Sequence, residues 1–61
     1  MANMTAKELN AIEDQLGMES NMIKKYRLYA QSCQDQEIRT KCEEIASRHQ
    51  CHFDTLMAHL S

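Results

Sequence analysis

Glu19, His49 and His52 are the residues of this chain whose types could do chemistry together. One carboxylate and two imidazoles form a donor set for a transition metal such as Fe, Zn or Mn. Without a metal, the same groups would have to pair with one another, because a charge or imidazole in apolar surroundings is costly when it has no partner. His49-Gln50-Cys51-His52 sets the two imidazoles three residues apart. On a helix that spacing puts them on one face, with Cβ atoms about 5–6 Å apart. His-x-x-His alone is a weak signal. Its weight here comes from position, since all three residues interrupt seams that are apolar apart from them and from His59 at the frayed end.

Those seams define the elements. From residue 5 to residue 33 the only breaker is Gly17, and Thr5-Ala6-Lys7-Glu8 reads as a capping box. Leu9, Ile12, Leu16, Glu19, Ile23, Tyr26, Ala30 and Cys33 then step by threes and fours, the spacing of a helix that packs at a shallow angle. Asp35 is a good N-cap for a second helix, and Glu37 suits its positive end. Ile38, Cys42, Ile45, His49, His52, Leu56 and His59 continue the pattern, widened by Ala46, Phe53 and Leu60. The expectation is a single all-α domain over residues 1–61, with a helix over about 6–33, a turn at about 34–35 and a helix over about 36–60. A connection this short makes the two helices antiparallel neighbours.

The hairpin sets a register. With the turn centred on residue 34 or 35, Glu19 faces the stretch between His49 and His52. All three side chains should therefore meet at one level, as a metal half-site or as a structural polar layer in which Glu19 pairs with protonated histidine. Met4, Ala11, Met18, Met22 and Tyr29 add a second apolar stripe to the first helix. A stripe that wide needs more than one partner helix, so the expected assembly is a homodimer of two hairpins forming a four-helix bundle.

Composition removes other classes. The 61 residues include one glycine and no proline, too few turn residues for a β-sandwich, a phosphate loop or a dinucleotide fold. The net charge of -2 and the lack of a basic stripe argue against nucleic acid as a partner; Lys24, Lys25 and Arg27 read as a solvated face. No run of about 18 apolar residues is present, so no membrane span is expected. Met1-Ala2-Asn3-Met4 lacks the pattern of a signal peptide, which suggests synthesis in the cytoplasm. Cys33, Cys42 and Cys51 are odd in number and form no Cys-x-x-Cys pair, so they read as reduced thiols packed in or beside helices. Ser47 and His49, two apart on a helix, face different ways and imply no hydrolase.

The segments Thr5-Ala6-Lys7-Glu8-Leu9, Ile12-Glu13-Asp14, Lys24-Lys25-Tyr26, Tyr29-Ala30-Gln31 and Ala46-Ser47-Arg48-His49-Gln50-x-His52, with Leu56, resemble short proteins of the Coat F family. These are spore coat-associated proteins of endospore-forming bacteria. The resemblance covers nearly the whole chain and is best marked at Arg48-His49-Gln50-x-His52. It implies a non-enzymatic structural or assembly protein in a ferritin-like bundle, located in the spore coat, with itself and other coat proteins as partners. The alternative is a small metal-binding bundle with a storage or vestigial redox role. Ferritin-like and rubrerythrin-like bundles carry a Glu, a Tyr seven residues on, and a Glu-x-x-His motif on the next helix. Glu19, Tyr26 and His52 match that pattern, whereas His49 stands where it has Glu. The departure removes a bridging carboxylate and counts against oxidase or peroxidase activity.

Overall fold

A computed structural model describes residues 4–60. Met1-Ala2-Asn3, read above against a signal peptide, lies outside the described residues. Helix α1 spans Ala6–Ser32 and helix α2 spans Gln36–Ala58. They pack antiparallel along their length, giving a hairpin of 46 × 15 × 11 Å.

Local chemistry sets the ends. Thr5 Oγ1 accepts from the Glu8 amide at 3.1 Å, and Glu8 Oε1 accepts in return from the Thr5 amide at 3.2 Å. Two amides that have no partner inside the helix are satisfied in this way. The exchange holds the Glu8 carboxyl below its ordinary value, first through the backbone hydrogen bond from Thr5 and then through the Thr5 hydroxyl. Asp35 Oδ1 accepts from the amides of Glu37 and Ile38 at 2.9 and 3.1 Å and starts α2.

The chain reverses without a left-handed residue, since no described residue has positive φ. Cys33 is extended and stops α1 one residue earlier than its apolar spacing suggests. A helix that ends without a glycine cap must satisfy its last carbonyls by other means. Arg39 reaches back from α2, donating from Nη2 and Nε to the Cys33 carbonyl at 2.7 and 3.3 Å. At the far end, His59 and Leu60 donate to the carbonyls of Leu56 and Met57, tightening the last turn, so α2 ends at Ala58.

Ile23, Ala30, Cys42 and Ala46 are buried between the helices. Three of the four are small, which allows close approach of the axes. Ile12, Leu16, Tyr26, Phe53 and Leu56 are half-buried along the same seam, and Ile45 is half-buried at its edge. Ile38 departs from expectation and is 55% exposed. The buried line of α2 runs through Cys42, Ala46, His49 and Phe53, whereas Ile38, Ile45 and His52, seven apart, follow the neighbouring stripe. At Ile38, close to the start of α2, the facing helix has all but ended, since α1 stops at Ser32. No helix among the described residues is long and apolar enough to cross a membrane.

Candidate metal centre

Among the described residues, Glu19 is the one polar residue buried in the seam. It sits mid-way along α1, one turn before Ile23, so packing that buries Ile23 also carries the carboxylate inward. His49 and His52 come from the facing stretch of α2. His49 Nδ1 lies 2.5 Å from Glu19 Oε1, and His52 Nδ1 lies 3.4 Å from Oε2. Each carboxylate oxygen therefore faces its own imidazole. The two rings stand edge to face, with centroids 5.6 Å apart and an interplanar angle of 88°. One donor atom from each residue can be chosen so that all three lie within 4.8 Å of one another.

Exposure grades across the group. The Glu19 side chain is 8% exposed, His49 22% and His52 52%. The site is thus closed on the α1 side and open at His52. Sequence spacing brought all three residues to one level, as expected. It did not show that His52 stands half in solvent, because position 52 lies on the stripe that flanks the buried line, with Ile38 and Ile45.

Gln15 was not singled out from the sequence. Its Nε2 donates to Glu19 Oε2 at 3.1 Å. The available signal was the four-residue spacing on one helix, which brings an amide over a carboxylate. With Gln15 included, no buried side-chain nitrogen or oxygen among the described residues lacks a partner. The Glu19 carboxyl is held below its ordinary value near 4.5, chiefly by the hydrogen bond from His49. Burial opposes this, while Gln15 and the charges of the two histidines add to it.

This arrangement can hold a proton or a cation. Metal–ligand bonds of about 2.0–2.2 Å put neighbouring donors of one ion roughly 3 Å apart. The Glu19–His52 separation already fits such a spacing. The Glu19–His49 pair is closer, as expected when a hydrogen lies between the two atoms, and would part slightly for an ion. Glu19, His49 and His52 could hold a metal ion.

The other reactive side chains stand apart from this group. Cys33 is half-buried, Cys42 buried and Cys51 exposed, all as free thiols. His59 Nδ1 is directed at the Thr55 carbonyl at 2.8 Å. Tyr26 packs edge to face on Tyr29 at 5.6 Å, with the Lys25 ammonium 5.8 and 5.9 Å from the two ring centroids. Across the hairpin, Arg27 donates to Gln50 at 3.3 Å and Gln50 to Asp54 at 2.9 Å, forming a polar rail. Compared with protein-family models, curated proteins and solved structures, the chain matches none.

Proposed function

We propose that this chain is a small metal-binding helical module whose ion is held by Glu19, His49 and His52. The observation that carries the reading is the convergence of a buried carboxylate and two imidazoles, contributed by both helices, within 4.8 Å. Two nitrogens and one oxygen suit Zn and Fe better than the hard cations Mg and Ca, which prefer oxygen alone. Gln15 supports the carboxylate from behind, as outer partners commonly do at metal sites. The role is storage or structural reinforcement. Nothing in the site supplies the second bridging carboxylate that di-iron redox chemistry requires.

The test is a titration of the untagged protein with Zn²⁺ after chelator treatment. One ion per chain is expected to bind. At free zinc of about 100 times Kd, mass action should stabilise the fold by about 2.7 kcal/mol. The His49→Leu/His52→Leu double variant should lose both the binding and the stabilisation. Melting that is indifferent to zinc and to chelator would overturn the reading.

A second reading is favoured by a different observation. Met18, Leu28, Tyr29 and Ile38 are 48–61% exposed, which is a large apolar surface for so small a chain. A non-enzymatic assembly subunit, as the Coat F resemblance implies, would use that surface for contacts with itself or with coat proteins. Sedimentation of metal-free protein tests it: a dimer is expected, and a folded helical monomer at low micromolar concentration would sink it.

A further inference from the structure

The two faces flanking the hairpin seam differ. On one, the Arg27–Gln50 bond joins the helices, and Arg39 and Glu43 border a polar groove beside Arg27. That fixes which stripes share the opposite face: Met18, Met22 and Tyr29 from α1, with Ile38 and Ile45 from α2. Spacings of four and seven residues keep each set on one line. Met18 is 61% exposed and Ile38 55%. His52 continues the α2 line, seven residues after Ile45, so the open side of the Glu19–His49–His52 group gives onto this apolar face.

We propose that a second copy of this chain covers the apolar face and that its docking is coupled to metal occupancy through His52. This rests on the metal reading above and extends it to assembly. The occupant is argued from three features. Met18, Met22, Tyr29, Ile38 and Ile45 are apolar, so the face offers most to an equally apolar surface, and Lys25, whose ammonium lies 5.9 Å from the Tyr29 ring, must stand at the border of the contact. The whole flank is bounded by 46 Å and 15 Å, so reaching the roughly 800 Å² per partner of a standard interface takes contact along its full length, which a second hairpin of the same length supplies. Heptad-spaced stripes on two long antiparallel helices are self-complementary across a two-fold axis, which closes a four-helix bundle.

The coupling follows from the gradient of exposure. Three protein donors leave at least one position open on a four-coordinate ion. That opening lies on the His52 side, where a docked copy would shield it from water or supply the missing ligand. An ion that fixes His52 against Glu19 also fixes the shape of the surface on which the second copy lands. Each event then favours the other by the same factor, as linkage requires.

The experiment uses the full untagged chain in sedimentation equilibrium, with chelator and with saturating Zn²⁺. Zinc affinity is measured in parallel by competition with a chromophoric chelator. Zinc should tighten dimerisation by roughly 5–150-fold. Met18→Glu and Ile38→Glu alter residues already exposed in the single chain and should fold; both should be monomeric and should bind zinc more weakly by that same factor. His52→Leu should dimerise with no response to zinc. A zinc-loaded monomer, a dimer constant unmoved by zinc, or full zinc affinity in both Glu variants would overturn the coupling while leaving the metal reading intact. Wild-type protein that binds no zinc would overturn both.

Discussion

Glu19 shows how much a single residue can reveal. A charge in the middle of an apolar seam needs a partner, and Glu19 has one for each carboxylate oxygen, His49 at Oε1 and His52 at Oε2. Its folded carboxyl lies below the ordinary value near 4.5 because His49 hydrogen-bonds the ionised form. The sign follows from linkage: the stability it contributes is complete above about 4.5 and is lost as pH falls through the lower folded value. Metal-free wild type should therefore show a steep acid limb in Tm against pH, and Glu19→Gln a shallower one. At neutral pH, Glu19→Ala should melt below wild type, since it leaves two imidazoles and Gln15 without their partner. Glu19→Leu should recover much of that loss by filling the space with apolar volume. Thermal melts of the three proteins in chelator check the order. Gln15 escaped the sequence reading because a glutamine on an exposed turn carries no mark until the carboxylate it serves has been located.

Helix starts were legible because they are made by side chains a few residues apart. Thr5 with Glu8, and Asp35 with Glu37, are written in order along the chain. Asp35→Ala should cost about 1 kcal/mol, lowering Tm by roughly 4–8 °C. Helix ends were less legible. Neither has a glycine, and the carbonyl of Cys33 is satisfied by Arg39, six residues away on the other helix. Gly17 offers a complementary test. A Cβ there would meet nothing within 4 Å, and the residue lies mid-helix on the outer side. Gly17→Ala should stabilise by about 0.5–1 kcal/mol, read as a higher denaturation midpoint at unchanged slope. The misplacement of Ile38 has an equally local cause: a heptad count treats the seam as straight, and only packing around Cys42 and Ala46 decides which stripe turns inward.

At the scale of the molecule, no described side chain is sealed completely from solvent. The chain sits near the lower limit at which one core sustains itself. The antiparallel hairpin was readable because two amphipathic stretches joined by three residues have one compact arrangement. Which flank would remain apolar and open was not readable, because that depends on how the two seams rotate against each other. The Arg39 clamp on the Cys33 carbonyl has a consequence in time. It closes a six-residue span, whereas the Glu19–His49 contact closes thirty. Loop closure costs more as the span lengthens, so the reversal should form early and the Glu–His layer late. Arg39→Met should then slow refolding and leave unfolding nearly unchanged, while Glu19→Ala should mainly speed unfolding. Stopped-flow chevrons at fixed protein concentration would separate the two, and equal effects on both limbs would deny the zipper that runs from the turn outward.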